Sequence, residues 1–326
     1  MTAAPIALSL GDPAGVGPEI IAGAWRALRT TGPVFAVSGD AASLRRVGAP
    51  ALSIETLTKA SACFADALPV VDQPLASAVA PGAPDPAAAA AIIAWIETAA
   101  ALALAGEAGA VVTAPIAKAL LYGAGFRFAG HTEFLAELTG GAKPVMMLTA
   151  NGLRCALVTI HEPISKVSGL LSPKAIVAAG LTTHAALKQD FGIERPRLAV
   201  AALNPHAGES GALGDEEARI IRPAIDQLRA AGVEASGPHP ADTLFHAEAR
   251  ENYDAALCMF HDQALIPVKM LDFWRGVNVT LGLPIVRTSP DHGVAYDLAG
   301  KGRARPDSLI AAIRLAAEIA ARRASQ

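Results

Sequence analysis

Basic charge is what this sequence most clearly lacks. Its 326 residues carry 27 lysines and arginines against 30 aspartates and glutamates, which gives a formal net charge of −3, and no long run of basic residues occurs. Because nucleic acids and anionic membranes are bound through clusters of lysine and arginine, we expect neither as a partner. An anionic ligand would have to be attracted by a few cations placed locally.

Cysteine is also scarce. Cys63, Cys155 and Cys258 are odd in number, widely spaced and without a CxxC pair, and the last two lie in apolar runs. This pattern argues against a disulfide framework and predicts buried thiols in a reducing compartment. The segment before Gly11 lacks the basic region and long apolar stretch of a secretory signal, so we expect a cytoplasmic protein.

A convincing membrane span is missing as well. The alanine-rich stretch 86–110 comes nearest, but Glu97 and Glu107 interrupt it and alanine is only weakly apolar. We expect a buried amphipathic helix here instead, with Asp85 as its N-cap and Pro86 at its first position.

What the chain does have is an apolar fraction of 52% with 17% charged residues, which suits well-buried cores. Short apolar runs alternate with longer helical patterns, and this alternation predicts an α/β fold with a largely parallel sheet. A helix is expected over 311–321, and no internal repeat is found. The predicted strands are 6–10, 34–37, 110–113, 145–148, 155–160, 198–203, 255–260 and 277–281.

Three of the eight histidines stand where predicted strands end. If these strands belong to one open α/β sheet, the imidazoles lie at its carboxyl edge, where such sheets bind ligands. Imidazole is a favoured ligand for divalent metals, and three imidazoles with an open fourth position are typical of a catalytic site. The pattern therefore predicts a metal-dependent enzyme. The residues are His161 after 155–160, His206 after 198–203 and His261 after 255–260.

A simpler explanation exists for any one of these histidines, since each could cap its strand by hydrogen-bonding a neighbouring backbone group. The metal interpretation is favoured because the pattern occurs three times, in surroundings rich in Asp, Asn and Gly such as 203–209 and 260–263. A three-histidine zinc hydrolase, which would need no nicotinamide, stays open as an alternative. So does a non-catalytic protein that binds a metal or a phosphate.

A glycine-rich segment, 11–19, follows the first predicted strand and precedes a helical pattern. Its spacing matches neither the dinucleotide fingerprint nor the P-loop, and Pro13 and Pro18 remove backbone donors that a phosphate cradle would use. A nucleotide loop is therefore the less favoured interpretation. We expect a turn that brings Asp12 and Glu19 near a cleft.

Two further segments suit an anion. In 130–133, Thr132 precedes a helical pattern that begins near Phe134, and either it only caps this helix or it presents donors to an anion together with His131. Over 269–293, a lysine, an asparagine and an arginine would suit a phosphate or carboxylate if they converge, although each alone is more often a solvated surface residue. These three are Lys269, Asn278 and Arg287.

Several motifs in fixed order resemble the 4-hydroxythreonine-4-phosphate dehydrogenase family of the pyridoxine pathway. They extend over nearly the whole chain, and their number and order make the resemblance specific. The motifs are GDPAGVGPEI (11–20), GHTEFLA (130–136), LNPHAGE (203–209), ADTLF (241–245), YDAALCMFHDQ (253–263), VNVTLGLPIVRTS (277–289) and DHG (291–293).

The resemblance implies a fold and an assembly. The fold class is α/β, with two α/β/α domains flanking a cleft as in isocitrate and isopropylmalate dehydrogenases. The first domain is then expected over 1–130 and 290–326, and the second, with most metal and substrate residues, over 131–289. The family also implies a homodimer whose active site is shared between the subunits.

The resemblance also implies a role for individual residues, carried over motif by motif. The positions that match the family's divalent-metal ligands are His161, His206 and His261, with His261 expected from the partner subunit. The positions that match its substrate-binding residues are His131, Thr132, Lys269, Asn278 and Arg287. Asp242 and Asp262 fall in motifs that line the metal and the reacting hydroxyl, and Asp291, His292 and Gly293 resemble the loop that meets the adenosine of the dinucleotide.

The implied reaction is oxidation of a secondary alcohol, in which a divalent cation lowers the pKa of the hydroxyl and NAD or NADP accepts the hydride. The implied substrate is 4-phosphooxy-L-threonine, a small phosphorylated molecule, and the 3-oxo acid product decarboxylates to 3-amino-2-oxopropyl phosphate. A related dehydrogenase of a sugar-acid phosphate, threonate or erythronate 4-phosphate, is the nearest alternative. Zinc, magnesium, cobalt and manganese all stay open as the metal.

Overall fold

Strands and helices alternate along the chain in a computed structural model that describes residues 4–128, 130–141 and 143–326. Within these ranges there are twelve strands, numbered in chain order. They are β1 Ile6–Ser9, β2 Phe35–Gly39, β3 Ala51–Ser53, β4 Leu68–Asp72, β5 Ala110–Thr113, β6 Val145–Ala150, β7 Leu153–Leu157, β8 Arg197–Ala201, β9 Glu234–His239, β10 Ala255–Cys258, β11 Val277–Leu281 and β12 Arg287–Pro290.

The helices of the same ranges include both long crossover helices and single turns. They are α1 Gly17–Leu28, α2 Ala41–Arg46, α3 Ala60–Cys63, α4 Ala89–Leu104, α5 Lys118–Tyr122, α6 His131–Leu138, α7 Ile164–Leu170, α8 Pro173–Gln189, α9 Arg222–Ala230, α10 Ala241–Leu244, α11 Ala247–Arg250, α12 His261–Leu271 and α13 Asp307–Ala324. Short 3₁₀ turns lie at Leu57–Lys59 and Pro86–Ala88, an irregular turn with positive φ angles at Pro205–Gly211, and a π-helical turn at Glu217–Ile221.

The chain divides into two compact units. Unit 1 comprises Met1–Lys143 and Leu283–Gln326, and unit 2 comprises Pro144–Gly282. The sequence placed 131–143 and 283–289 in the second domain, whereas they lie in unit 1. The physical reason is that α6 packs against α4 and that β12 pairs with β5.

Unit 1 contains a parallel sheet with the strand order β3-β4-β2-β1-β5-β12. Its central strands are short apolar runs that are buried throughout, as expected for a parallel sheet covered by helices. Helix α4 packs against β1 and β2, and α13 packs against β5 and β12. The register pairs Ser9 with Thr113, so two hydroxyl side chains end neighbouring strands at the carboxyl edge of this sheet.

Unit 2 contains a mixed sheet with the strand order β11-β6-β7-β10-β8-β9. Strands β7, β10, β8 and β9 run parallel, whereas β6 is antiparallel to both β11 and β7. The β6–β7 connection is the two-residue turn of Asn151 and Gly152, whose φ angles of 46° and 81° are both positive. Asn-Gly is the favoured sequence for such a hairpin turn, because both residues tolerate a left-handed conformation.

Helix α12 covers the strands of unit 2 with one face. Its residues Ala264, Leu265 and Val268 lie in the buried core with the strand residues around them. Burying an aliphatic side chain of this size contributes about 1.5–3 kcal/mol to stability, so this face fixes the helix on the sheet. Ile266 and Met270 of the same helix are 65% and 74% exposed.

The mixed α/β class predicted from the alternation is confirmed. The three strands before the predicted metal histidines end two or three residues earlier than expected, at Leu157, Ala201 and Cys258. Strands β3, β9 and β12 were not predicted, because their sequences are too short or too polar to show an apolar run; β4 was missed although its first four residues are apolar.

The alanine-rich stretch forms the expected core helix. The side chain of Asp85 accepts a hydrogen bond from the Ala87 N–H (2.9 Å) and caps the Pro86–Ala88 turn that leads into α4. Helix α4 buries Ile92, Trp95 and Ile96 completely. By length and composition alone, Pro86–Leu104 would suffice to cross a membrane, and so would the bent pair of α7 and α8.

The turn at 11–19 corrects the expectation that Asp12 and Glu19 face a cleft. Asp12 is buried, its carboxylate accepting hydrogen bonds from the Ala14 N–H and the Tyr296 hydroxyl. Glu19 accepts a hydrogen bond from the Gly300 N–H at 2.6 Å. A Cβ at Gly15 would lie 2.8 Å from the Val294 carbonyl oxygen, so glycine permits this close approach. Both carboxylates therefore fasten the turn to 294–300.

Candidate functional site

The three predicted metal histidines follow neighbouring parallel strands, as the sequence indicated. Strand β10 lies between β7 and β8 and pairs in parallel with both. The chain therefore leaves all three strands at the carboxyl edge of unit 2, where His161 follows β7, His206 follows β8 and His261 opens α12 after β10. The topology confirms this part of the sequence argument.

His161 and His261 line one pocket of unit 2. Their ring centroids are 5.6 Å apart and the rings are tilted by 43°. The pocket has a volume of about 450 Å³, and its wall also includes the α7 residues Ile164 and Val167. Two imidazoles that share a partly apolar pocket suit a divalent transition metal such as zinc, for which imidazole is a favoured ligand.

The side chain of Asp262 orients the His261 ring. Its Oδ1 lies 2.7 Å from Nδ1 of His261, and Asp262 itself lines the same pocket. When the Nδ1–H donates to the carboxylate, Nε2 keeps its lone pair for a metal, an arrangement common around metal-binding histidines. The predicted catalytic Asp262 is thus placed beside a predicted ligand. The other predicted catalytic carboxylate, Asp242, lies exposed in α10 and is not among the residues that line the pocket.

His206 opens a left-handed turn that comprises residues 206–210. The φ angles along this turn are 49°, 52°, 79°, 44° and 57°. Only Gly208 adopts this conformation freely, and each of the other four residues costs about 1–2 kcal/mol. Such strain is kept where neighbouring groups enforce it, and it is concentrated at functional sites.

The structure brings two of the three predicted ligands together. Among residues 4–128, 130–141 and 143–326, no group of three or more His, Cys, Asp or Glu side chains is arranged to hold a metal. The resemblance implied that His261 serves the partner subunit, whereas it lies beside His161 of its own chain. The three-histidine site therefore stays a prediction.

Two predicted substrate residues lie in unit 2. Lys269 is on α12, with its Nζ 5.4 Å from the centre of the Phe273 ring. Asn278 is on β11, opposite Leu148 of β6, and its side-chain Oδ1 is buried without a hydrogen-bond partner in the part of the chain that the structure describes. A buried, unsatisfied amide oxygen is costly, and a donor on a ligand would satisfy it.

The predicted substrate residue Arg287 is a buried cation in unit 1. It begins β12, is 3% exposed, and donates from Nη2 to the Thr113 hydroxyl at 2.7 Å. Burial lowers the pKa of Arg287 to about 10, although the nearby Glu133 carboxylate acts in the opposite direction. Desolvation thus outweighs the attraction to Glu133, and an added anion would stabilise this guanidinium.

Arg287 and Lys118 both lie near His131, and the three residues form what we call the cationic cluster. A Cβ at Gly130 would lie 3.5 Å from Nζ of Lys118, so the glycine lets the lysine approach the first turn of α6. His131 begins α6, and its Nε2 is buried without a partner in the described part of the chain. The positive end of the α6 dipole adds to the field of these cations.

Thr132 does not cap its helix, which corrects the prediction. Helix α6 begins at His131, and its N-cap is Gly130, in an extended conformation. Thr132 is therefore already inside the first turn, where its side chain is buried. The predicted anion binding does not depend on this cap. The first N–H groups of any helix have no partner within the helix and can bind an anion.

Burial, assisted by the neighbouring cations, keeps His131 neutral, which gives stability a defined pH dependence. Burial, followed by the charges of Arg287 and Lys118, lowers the pKa of His131 well below its ordinary value of 6.5. As the pH falls below this value, the unfolded chain binds a proton that the folded chain refuses. The free energy of unfolding then decreases, by at most about 1.4 kcal/mol per pH unit from this residue.

We therefore expect His131→Gln to lose less stability than the unsubstituted protein between about pH 7.5 and about pH 5. Urea unfolding at the two pH values measures the difference. His246→Gln is the control, because His246 is exposed at the start of α11. An equal pH dependence of all three proteins would contradict a neutral, buried His131.

The predicted dinucleotide loop is an exposed turn after β12. The Asp291 N–H donates to the Ser308 hydroxyl at 3.1 Å, which anchors the turn to the start of α13. His292 and Gly293 are exposed, and Nδ1 of His292 lies 3.0 Å from the Gly293 carbonyl oxygen. The turn is accessible to a ligand, and its role in binding a dinucleotide stays a prediction.

Sequence reasoning missed several polar residues that hold these sites. Gln263 is buried, accepts from the Met259 N–H at 2.7 Å and donates to the Ala202 carbonyl at 2.6 Å, and so ties the ends of β10 and β8 together. Its place two residues after His261 was the available signal. Lys118 and Thr113 offered none, since they lie far from Arg287 in sequence.

The fold and these residues define an α/β protein with a histidine pocket in unit 2 and a buried cationic cluster in unit 1. Residues 31–316 match the model of a family described as pyridoxal phosphate biosynthetic protein PdxA. The chain belongs to this family, and the resemblance inferred from its motifs is confirmed.

Individual relatives match along the whole chain. A 4-hydroxythreonine-4-phosphate dehydrogenase from Caulobacter vibrioides is 63% identical over 332 residues, with 99% of each chain covered. One from Maricaulis maris is 54% identical over 335 residues, with 98% of each covered. A crystal structure of 4-hydroxythreonine-4-phosphate dehydrogenase from Klebsiella pneumoniae matches with a TM-score of 0.88 and 39% identity, covering 98% of both chains.

Proposed function

We propose that this protein oxidises 4-phosphooxy-L-threonine with a divalent metal and NAD or NADP, in pyridoxal phosphate biosynthesis. The product would be a 3-oxo acid that decarboxylates to 3-amino-2-oxopropyl phosphate. Relatives named 4-hydroxythreonine-4-phosphate dehydrogenase, with identities up to 63%, support this activity. The observation that carries the proposal is the cationic cluster around Arg287, because buried positive charge at a helix start suits an anionic ligand.

The charge balance of the cluster supports a phosphorylated substrate. Arg287 and Lys118 carry two positive charges, Glu133 carries one negative charge, and His131 is neutral because its pKa is lowered. These cations lie at a helix start that itself favours anions. We infer that Arg287 grips the anionic group with two parallel hydrogen bonds, while Lys118 adds a point charge.

The donor set of the pocket in unit 2 fits a divalent metal. His161 and His261 share the pocket, and Asp262 holds one nitrogen of the His261 ring so that the other is free to bind. His206 is the proposed third ligand, and Asp242 is proposed to face the reacting hydroxyl. When bound, the cation would lower the pKa of that hydroxyl and stabilise negative charge on oxygen. Imidazole donors favour zinc or cobalt, and magnesium or manganese would need oxygen ligands from the substrate in addition.

The remaining substrate and cofactor assignments follow the family's motifs. Thr132, Lys269 and Asn278 are proposed to bind the substrate, and the buried Oδ1 of Asn278 would accept a hydrogen bond from it. The turn 291–293 is proposed to contact a dinucleotide, and its exposure and its anchor on Ser308 are compatible with this role. The nicotinamide would supply the two-electron acceptor.

We propose a homodimer in which α12 forms part of the interface. The exposed side chains Ile266, Met270, Phe273 and Trp274 make an apolar face on α12 and the segment after it, with exposures of 48–74%. A face of this kind on a folded chain is typical of an interaction surface. A second copy is the favoured occupant, because the family's motifs imply a homodimer and because this face continues the helix that begins at His261, the ligand they assign to the partner subunit.

A cytoplasmic location is proposed from the thiols. Cys155 and Cys258 are buried on the paired strands β7 and β10, Cys63 is partly buried, and all three are free. Free thiols on neighbouring strands suit a reducing compartment.

The activity is tested by following reduced nicotinamide by absorbance. Purified protein receives one metal and either NAD or NADP, together with 4-phosphooxy-L-threonine, threonate 4-phosphate or erythronate 4-phosphate in turn. We expect the highest kcat/KM with 4-phosphooxy-L-threonine, accompanied by release of carbon dioxide. Protein treated with a chelator is the control and is expected to lose turnover.

Other outcomes of this assay would replace the proposal. Preference for either sugar-acid phosphate would assign the chain to a related dehydrogenase. Phosphate release without dinucleotide would indicate a hydrolase. Ligand binding without turnover under any combination would indicate a non-catalytic protein.

A further inference from the structure

The left-handed turn of His206 is held by two adjacent carboxylates. Glu217 is 3% exposed, and its Oε1 accepts hydrogen bonds from the N–H groups of Leu203 (2.9 Å) and Asn204 (2.8 Å). Its Oε2 accepts from the Asn204 side-chain amide at 3.0 Å. A single buried carboxylate thus binds the two residues that lead into the Pro205–Gly211 turn, where charge-assisted hydrogen bonds are especially strong.

Glu216 joins the same asparagine to α7. Its Oε2 accepts from the Asn204 side-chain amide at 2.8 Å, and its Oε1 accepts from the Ser168 hydroxyl at 2.6 Å. The hydrogen bonds from Ser168 and then Asn204 lower the pKa of Glu216, which keeps it ionised. The Asn204 side-chain amide therefore donates one hydrogen bond to each of the two carboxylates, and both of its N–H groups have an acceptor.

The link to α7 reaches the histidine pocket. Ser168 follows Val167, and Val167 lines the pocket together with His161 and His261. Gly208, inside the left-handed turn, permits the approach from the other side, because a Cβ there would lie 2.6 Å from Oε2 of Glu217. Hydrogen bonds therefore join Ser168 of α7 to Glu216, and Asn204 to both Glu216 and Glu217. These contacts connect the pocket wall to the turn of His206.

We propose that Glu216 and Glu217 form a carboxylate clasp that positions His206 for metal binding. The inference rests on the proposed function, since it needs His206 to be a metal ligand. Glu217 acts through the backbone of residues 203 and 204, and Glu216 fixes the distance between this backbone and α7. Both are positioning residues, and neither is proposed to touch the metal or the substrate.

The test is a titration of the metal-free protein with Co²⁺, followed by visible absorption. Glu217→Gln preserves one acceptor oxygen for the two backbone N–H groups but turns a donor toward the Asn204 amide, whereas Glu217→Ala removes all three hydrogen bonds. We expect a loss of Co²⁺ affinity of about tenfold or more for Glu217→Ala, as for other residues that orient metal ligands, and a smaller loss for Glu217→Gln. Thermal unfolding of each metal-free variant confirms that it is folded.

Asp215→Asn is the matched control. Asp215 precedes the clasp in sequence, and its exposed carboxylate pairs with Arg219 one turn later. We expect no change in Co²⁺ affinity from this substitution. A loss equal to that of Glu217→Gln would show that any lost carboxylate in this segment weakens binding, and it would overturn the clasp.

A double substitution separates positioning from general loosening. If Glu217 acts only through His206, adding Glu217→Gln to His206→Ala should cause no further loss of Co²⁺ affinity. A full additional loss would overturn the positioning role. Normal affinity in His206→Ala would overturn the metal assignment and the clasp with it, whereas a loss in His206→Ala with none in either Glu217 variant would overturn the clasp alone.

Discussion

Replacing His261 with alanine is expected to lower divalent-metal affinity and turnover by about a hundredfold or more each, while the protein stays folded. The imidazole shares its pocket with His161 at 5.6 Å, and Asp262 holds its ring in the orientation that exposes Nε2. Its side chain is 34% exposed, so its removal takes little from the core. Metal content after dialysis and steady-state kcat measure the two effects.

His246→Ala is the control for this substitution, because His246 is exposed and lies outside the residues that line the pocket. We expect normal metal content and turnover from it. Normal values in His261→Ala as well would remove His261 from the site.

Mixing two inactive variants tests whether the site is shared between subunits. When His206→Ala and His261→Ala subunits exchange freely, half of the dimers are mixed, and one of the two sites in each mixed dimer carries neither defect. If His261 serves the partner subunit's site, as the family's motifs imply, roughly a quarter of the activity should return; if one metal binds His161 and His261 of the same chain, none should. No recovery in a sample with demonstrated subunit exchange would place all ligands of a site in one chain.

Arg287→Lys is expected to raise the KM for phosphorylated substrate by about tenfold or more, a cost on the order of 1.4 kcal/mol. Lysine lacks the planar pair of donors that grips an anion. Burial already lowers the pKa of Arg287 to about 10, and the same burial would bring a lysine, with an ordinary pKa of about 10.4, close to the physiological range. The substitution thus loses the two-pronged geometry, while the lysine still carries a positive charge, though one that is easier to lose.

Steady-state kinetics with the substrate and the dinucleotide varied in turn measures the effect. Arg219→Lys is the matched control, because Arg219 forms an exposed ion pair with Asp215. A defect confined to the KM for dinucleotide would reassign Arg287 to the cofactor. Equal kcat/KM values for a phosphorylated and an unphosphorylated substrate would show that Arg287 does not bind a substrate phosphate.

The part of the site that sequence could predict depends on strand ends. Short apolar runs predicted the ends of β7, β8 and β10 within two or three residues. Parallel strands that are buried on both faces consist almost entirely of apolar residues, so they are easy to recognise. A histidine shortly after such a run must lie near the carboxyl edge, whatever the loop conformation. Which histidines become neighbours depends on the order of the strands in the sheet, and that order is not evident from the sequence.

The part that sequence could not predict depends on contacts between distant residues. Thr113 meets Arg287 only because β12 pairs with β5, and β12 is too polar to show an apolar run. Thr132 was a candidate cap because it preceded an apolar pattern, but the N-cap is Gly130, two residues earlier. The β6–β7 hairpin is different, since Asn151-Gly152 was a readable signal for an antiparallel pair.

The discontinuity of unit 1 has a consequence for how the chain folds during its synthesis. Unit 2 is one contiguous segment, so its sheet is complete once Gly282 has left the ribosome. Unit 1 must wait for Leu283–Gln326, which supply β12 beside β5 and α13 against β1, β5 and α1. Until then β5 is an open edge with an uncovered apolar surface, the kind of nascent intermediate that chaperones recognise.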